Sequence, residues 1–207
     1  MSFTRWLSNH LGLSPRPASR RKTHAARRTV RPTLEALEDR WMPSTLTVLN
    51  NLDSGAGSLR TEIAVAHNGD TIVFAPSLVG QTITLTSGQL LIRKNLTIAG
   101  PGAGQLTVSG NNASRVFEVA KTVRSVTLSG LTISNAAGGG ILNDGTLTVS
   151  NSILSNNGGG GGGIHNDGTL TVSNSTLSNN SASSGGGIEN SRTAIVSGSI
   201  LSGNSAA

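Results

Sequence analysis

Residues 138–157 have the sequence GGGILNDGTLTVSNSILSNN, which returns at residues 161–180 as GGGIHNDGTLTVSNSTLSNN and, more loosely, at residues 185–204 as GGGIENSRTAIVSGSILSGN. The first two copies differ at only two positions. The differing pairs are Leu142 with His165 and Ile153 with Thr176. A repeat of this length is typical of a solenoid, in which each unit buries its apolar side chains against its neighbours.

Each copy contains three short runs of β-branched and hydroxyl residues, separated by Gly and Asn. In the first copy these runs are residues 139–142, 146–150 and 152–155. Within the middle run, Leu147 and Val149 alternate with hydroxyl residues, which indicates a strand with one buried face. Helical and leucine-rich repeats need a different spacing and more Leu per unit. Three strands per unit therefore predict an all-β parallel β-helix with about 23 residues per coil.

Stacking the copies places like residues over one another in three interior files. These files are Ile141, Ile164 and Ile188; Val149, Val172 and Val196; and Leu154, Leu177 and Leu201.

Asparagines share two further phases of the repeat. The two asparagine files are Asn143, Asn166 and Asn190, and Asn157, Asn180 and Asn204. We expect these residues to lie in tight bends where Asn tolerates left-handed backbone, and we expect their amides to bond to one another along the axis. The alternative is a ligand-binding face rich in Asn.

The GGGI and LxxN elements of each copy resemble the repeats of polymorphic outer-membrane-protein type, which pair GGAI with FxxN. In this chain Leu154, Leu177 and Leu201 stand where that motif has Phe. The resemblance covers residues 120–207 well and 45–119 loosely. It implies a right-handed parallel β-helix, but it gives almost no information about which ligand is bound.

Charge divides the chain into two parts. Residues 1–44 hold nine of the 16 Lys and Arg and three of the ten acidic residues, whereas residues 45–207 hold seven of each. Pro, Arg and Ser without apolar periodicity predict a disordered leader. Clustered basic residues could bind nucleic acid, but an arm of this kind gives only salt-sensitive, non-specific affinity. Because the excess of basic residues lies in residues 1–44, the net charge of the chain does not imply a basic surface on the folded part.

Targeting is the preferred interpretation of the leader. The segment LEALEDR (34–40) resembles the LExLExR leader of large surface or exported proteins of planctomycete bacteria. The matching positions are Leu34, Glu35, Leu37, Glu38 and Arg40. No stretch has the apolar core of a signal peptide, and none is long and apolar enough to span a bilayer. The resemblance implies export to the cell surface, the outer membrane or the medium.

The segment between the leader and the regular repeats is expected to form the first coils of the solenoid and a helix that caps them. Residues 45–137 contain irregular coils, and Ser58 predicts the N-cap of a short helix extending to about Ala66. Such a helix would cover the apolar end of the first coils. The regular repeats occupy residues 138–207, and the last coil is expected to stack on further repeats or on another subunit.

Many parallel β-helices are polysaccharide lyases or hydrolases, and the active sites of these enzymes need clustered carboxylates. Only Asp144 and Asp167 share a phase of the repeat, so they are a weak candidate Ca²⁺ site; the alternative is two solvated Asp-Gly turns. No other cofactor is expected. His165 shares its phase with Leu142 and Glu189, which predicts an outward, unselective position.

The preferred function is a non-catalytic, exported β-helix repeat protein with a structural or adhesive role, whose partners would be an extracellular polysaccharide or a surface protein. The sequence predicts that the native protein is longer, and a lyase or hydrolase with its catalytic coils elsewhere is the alternative. A further alternative is a TxT patch of the kind that ice-binding β-solenoids display. It comprises Thr146, Thr148, Thr169 and Thr171 and fails at Ile195.

Overall fold

Runs in which apolar and hydroxyl residues alternate form short strands. Each strand pairs with the equivalent strand one coil away. The computed structural model describes residues 42–207, which form a parallel β-solenoid with three principal sheets. Residues 1–41 of the leader, and with them the whole targeting motif at residues 34–40, lie outside the described residues. Sheet A has seven strands, sheet B six and sheet C five, and all of the strand pairs in them are parallel.

The strands are numbered along the chain and grouped by sheet. Sheet A contains β1 (Thr45–Val48), β2 (Thr71–Phe74), β5 (Leu96–Ala99), β8 (Val126–Ser129), β11 (Thr146–Ser150), β14 (Thr169–Ser173) and β18 (Thr193–Ser197). Sheet B contains β3 (Thr82–Thr84), β6 (Thr107–Ser109), β9 (Thr132–Ser134), β12 (Ile153–Ser155), β15 (Thr176–Ser178) and β19 (Ile200–Ser202). Sheet C contains β4 (Leu90–Ile92), β7 (Phe117–Val119), β10 (Ile141–Asn143), β13 (Ile164–Asn166) and β17 (Ile188–Asn190). A small fourth sheet pairs β16 (Ser181–Ala182) with β20 (Ser205–Ala206).

Each regular coil passes through sheet C, then sheet A, then sheet B. The register places like over like: Ile141 pairs with Ile164, and Ile164 pairs with Ile188. The Val149 and Leu154 files continue in the same way. The three predicted interior files are therefore confirmed, and their apolar side chains fill the core between the sheets, except for Val196 and Leu201 in the last coil.

The earlier coils keep this register although their lengths vary. Ile98 pairs with Leu128, and Leu128 pairs with Val149. The coil between Ile98 and Leu128 is nevertheless much longer than the coil between Leu128 and Val149. The extra residues lie in the turns, so the strands stay aligned. An internal repeat is consequently visible in the sequence only where the turns also have constant length.

In the described part of the chain, one α-helix, α1 (Leu59–Val65), packs against β1 and β4. Ser58 caps it by accepting a hydrogen bond from the backbone N–H of Thr61, and Leu59 and Ile63 are buried. The predicted short helix at this position is confirmed. A single 3₁₀ turn (Pro76–Leu78) follows β2.

The last coil is more exposed than the coils before it. Val172 is fully buried, whereas its partner Val196 is 44% exposed. Leu177 is likewise fully buried, and its partner Leu201 is 50% exposed. These apolar side chains occupy the same positions in the repeat, so the difference arises because no described coil covers the last one.

The expectation of left-handed backbone at the asparagine files was wrong, because the left-handed residues lie at other positions of the repeat. Two other phases have positive φ. One phase comprises Asn151 (φ 48), Asn174 (φ 49) and Gly198 (φ 55), and the other Asn156 (φ 56), Asn179 (φ 55) and Gly203 (φ 61). Asn and Gly are the residues that tolerate this conformation best. The Asn-to-Gly changes in the third copy therefore preserve the backbone of both bends.

Candidate functional site: the charged groove beside sheet C

The repeat positions its outer surface through buried hydrogen-bond ladders. Asn143 donates from Nδ2 to Oδ1 of Asn166 over 2.6 Å, and Asn166 donates in the same way to Asn190 over 2.6 Å. Asn143 and Asn166 are fully buried. Each amide oxygen also accepts a bond from the backbone N–H two residues later, as in Gly145. This ladder fixes the turns that follow sheet C.

The second ladder runs along the turns that follow sheet B. Asn157 donates to Asn180 over 3.0 Å, and Asn180 donates to Asn204 over 2.9 Å. Both amides also donate to backbone carbonyls in the coil before them. No buried side-chain nitrogen or oxygen in residues 42–207 is left without a hydrogen-bond partner.

A third ladder, of serines, joins sheet A to sheet B, and sequence reasoning missed it. The hydroxyl of Ser175 accepts a bond from the backbone N–H of Ser152 over 3.2 Å and donates to the carbonyl of Ser173 over 2.8 Å. Ser199 repeats both contacts one coil later. The shared phase of these serines was visible in the repeat, but Ser is common in turns and gave no distinct signal.

Within the strands of the three sheets, all of which lie in the described part of the chain, charge is confined to sheet C. Glu118 lies on β7, His165 on β13 and Glu189 on β17, and the register places all three in one outward file. Sheets A and B present only hydroxyl and apolar side chains there. Ionic chemistry on the solenoid is therefore concentrated at sheet C and the turns beside it.

The turns that follow sheet C form a groove, here called the charged groove. It has a volume of about 610 Å³ and is lined by Lys121, Asp144, Asp167, Ser191 and Arg192. Backbone bonds stack these turns, because Asp167 donates its N–H to Asn143 and Ser191 donates its N–H to Asn166. Two carboxylates and a hydroxyl thus follow one another along the axis.

The third copy of the repeat supplies a cation to this groove. Ser191 and Arg192 replace the Asp-Gly pair of the first two copies. A hydrogen bond with Ser191, assisted by His165 and by the charge of Arg192, lowers the pKa of Asp167. The side chain of Asp167 remains 44% exposed, so its carboxylate is available to a ligand.

His165 is outward, as expected, but its position is not unselective. Its Nδ1 lies 2.8 Å from Oε2 of Glu189, and its Nε2 lies 3.2 Å from Oδ2 of Asp167. Both ring nitrogens therefore face carboxylate oxygens. Hydrogen bonds from Ser184 and His165 lower the pKa of Glu189. The signal was present in the sequence, since Glu189 follows His165 by one coil.

The structure brings the candidate Ca²⁺ residues Asp144 and Asp167 into the charged groove, together with two basic side chains. Within residues 42–207, no group of three or more His, Cys, Asp or Glu side chains is placed to hold a metal ion. Carboxylates, a hydroxyl and cations in one groove can accept hydrogen bonds from sugar hydroxyls and pair with acidic groups.

A search of the same residues for long apolar helices found none able to cross a bilayer. Comparison with known proteins gave no match to a family model and no match to a curated protein sequence. The fold defines this chain as a parallel β-solenoid repeat protein.

Proposed function

We propose that this chain is a non-catalytic, exported β-solenoid that serves as a structural or adhesive repeat at the cell surface. The observation that carries the proposal is the regular stacking of self-complementary coils by buried Asn and Ser ladders. Such ladders stabilise a long, uniform scaffold. Within residues 138–184 the exposed residues other than glycine are all Ser, Thr or Asn, which would give weak polar contacts repeated from coil to coil.

Export is supported by the resemblance of residues 34–40 to the LExLExR leader. The resemblance of the repeats to the polymorphic outer-membrane-protein type points to the same compartment. The partners we propose are an extracellular polysaccharide or a surface protein.

An antibody against residues 45–207, used on fractionated source cells, tests this proposal. We expect a band in the surface or secreted fraction. A band confined to the cytoplasmic fraction would contradict export and would favour nucleic-acid binding through the basic leader.

The last coil is proposed to stack on further repeats or on another subunit. Two side chains of its interior files are exposed, Val196 (44%) and Leu201 (50%), and Ile200 (62%) beside them is exposed as well. Ile200 and Leu201 lie on β19, which is also the edge strand of sheet B. An apolar edge of this kind is a template for pairing with another strand.

A second candidate is a polysaccharide lyase, and the charged groove is the observation that favours it. Asp144 and Asp167 could hold a cation between the enzyme and a uronate, and Lys121 or Arg192 could remove the proton. Incubation with polyuronates and Ca²⁺ tests this activity, since β-elimination forms a double bond that absorbs ultraviolet light. We expect no absorbance change if the protein is a spacer; a rate that Asp167→Asn abolishes would establish the lyase.

A further inference from the structure

The outward side of sheet A carries an unbroken file of threonines that is longer than the sequence repeat suggested. The file has one threonine in each of six successive coils, and direct strand pairing joins each threonine to the next. The seventh position is Ile195. The members are Thr45, Thr71, Thr97, Thr127, Thr148 and Thr171. Only the last two were visible as part of the regular repeat. We call this surface the threonine face.

The threonine face is a preorganised array. Its strands are parallel and paired residue for residue, so equivalent side chains recur about every 4.8 Å along the axis. Threonine is β-branched, and its χ1 angle is restricted in a strand. The hydroxyl and methyl groups are therefore held in a repeating arrangement, and little side-chain entropy remains to be lost when they contact a partner.

Flanking files widen this array with similar chemistry. One flank contains Thr146, Thr169 and Thr193, which are paired with one another. The other flank contains Ser129, Ser150, Ser173 and Ser197, also paired in sequence. The seven strands of sheet A, all in the described part of the chain, include no charged residue.

These properties restrict the partner. The strands of this face carry no charge, because the ionic side chains lie on sheet C, on α1 and in the turns. Those of the charged turns border the flank of Thr146 and Thr169, so a charged partner would favour the groove over the central threonine file. Sugars are commonly held on aromatic platforms, and the only aromatic residue of sheet A, Phe74, packs against the core. What remains is a neutral, repeating surface made of groups that both donate and accept hydrogen bonds. A hydroxyl does both.

We propose that the threonine face binds the surface of crystalline ice. An ice surface is a neutral lattice in which every water both donates and accepts, so it matches an array of hydroxyls in chemistry and in regularity. Each contact is weak, but contacts repeated over six coils act together, and the methyl groups exclude disordered water. The proposal is independent of export and of the charged groove.

Sheet B provides a matched control surface. Its equivalent outward file contains Thr82, Thr107 and Thr132, but Ile153 interrupts it. The control variant is Thr82→Lys with Thr107→Lys, and the test variant is Thr127→Lys with Thr148→Lys. Both pairs are direct partners on adjacent strands, and both place two lysines on an outward face. Circular dichroism and the unfolding midpoint establish that both variants are folded.

Two measurements on the full chain test the proposal: inhibition of ice recrystallisation, and partition of labelled protein into a slowly grown ice front. We expect the parent chain to be active in both and the control variant to match it within about twofold, since independent sites rarely couple. The test variant should lose at least about tenfold, because several contacts of the array are lost together.

Absence of activity in the parent chain would overturn the proposal, and so would equal loss in both variants. Binding of a neutral polysaccharide through the threonine face, without binding of ice, would also overturn it.

Discussion

At the scale of single residues, the ladder amides use their full hydrogen-bonding capacity. Asn166 accepts from Asn143 and from the N–H of Gly168, and it donates to Asn190 and to the carbonyl of Thr193. A side chain with both donors and acceptors in one plane is needed for this pattern. Leu or Thr at this position would leave buried groups without partners.

Replacement of Asn166 by Ala should therefore destabilise the fold by about 1–3 kcal/mol, because buried donors and acceptors in the adjacent coils lose their partners. The matched control is Asn190→Ala in the same ladder, where the residue is exposed and water can replace the lost bonds. Urea denaturation of both variants measures the difference. Equal losses would contradict the claim that burial makes the bonds of Asn166 important for stability.

The sequence predicted which asparagines stack, but not which residues turn the chain. Asn143 and Asn157 share phases with their copies, and that periodicity was enough to predict the ladders. Asn156 and Asn157 are adjacent and chemically identical, however, and only Asn156 has left-handed backbone. The choice between them depends on which one points inward, and this follows from the bend between sheets rather than from residue type.

At the scale of elements, α1 and the loops around it close the first coils. Arg60 on α1 donates to Asp53 over 2.6 Å, to the carbonyl of Gly88 over 2.7 Å and to the carbonyl of Gln89 over 2.9 Å. Asp53 also accepts from the backbone N–H of Ser87 over 2.9 Å. These contacts fasten the helix to the loop that leads into β4.

Replacement of Leu59 by Ala on α1 should cost about 2–5 kcal/mol, since this side chain is fully buried at the end of the core. Val65→Ala on the same helix is the control. Val65 is 53% exposed, and its replacement should change stability by less than about 0.5 kcal/mol. Thermal unfolding of both variants tests whether α1 covers the core. Indistinguishable midpoints would contradict that role.

The surroundings of Asp53 predict that the stability of the fold depends on pH. Burial opposes its ionisation, but hydrogen bonds from Ser87 and Arg60 and the charge of Arg60 lower its pKa to about 2. A lowered carboxyl pKa means that the unfolded chain binds the proton more tightly, so this stabilisation is complete above the ordinary Asp pKa of about 3.9. It should be lost as the pH falls from about 4 towards 2.

Asp167 and Glu189 also have lowered pKa values and contribute in the same direction. Urea titrations across this range should give a shallower pH dependence for Asp53→Asn than for the parent chain. An unchanged slope would show that Asp53 is not the source.

Element boundaries were predictable where the alternation was clean. The middle run, 146–150, has the same bounds as β11. The first run was predicted at residues 139–142, whereas β10 spans Ile141–Asn143. Glycines 139 and 140 belong to the turn: φ is 90° at Gly139, and an added Cβ at Gly140 would lie 2.6 Å from the carbonyl oxygen of Gly163. Their role depends on the close approach of the neighbouring coil.

At the scale of the whole solenoid, the repeat predicted the interior better than the surface. Interior files follow from the periodicity of apolar residues, which the register preserves in every coil. The charged groove combines Lys121, Asp144, Asp167 and Arg192 from four successive coils, one of which precedes the regular repeat. Its composition depends on turn lengths, and these vary before residue 138. The threonine face was underestimated for the same reason.

The register of the coils is the feature on which every larger conclusion depends, and the absence of cysteine from the chain makes it directly measurable. Ser155 and Ser178 are direct partners on β12 and β15, and Ser202 lies one coil further on. Adjacent partners are about 4.8 Å apart, within the Cα separation that a disulfide spans, whereas partners two coils apart are about 10 Å apart.

We would measure disulfide formation in two double variants under mild oxidation. Ser155→Cys with Ser178→Cys should form an intramolecular disulfide, and Ser155→Cys with Ser202→Cys should not. Failure of the first pair, or equal bridging of both pairs, would contradict the in-register parallel solenoid.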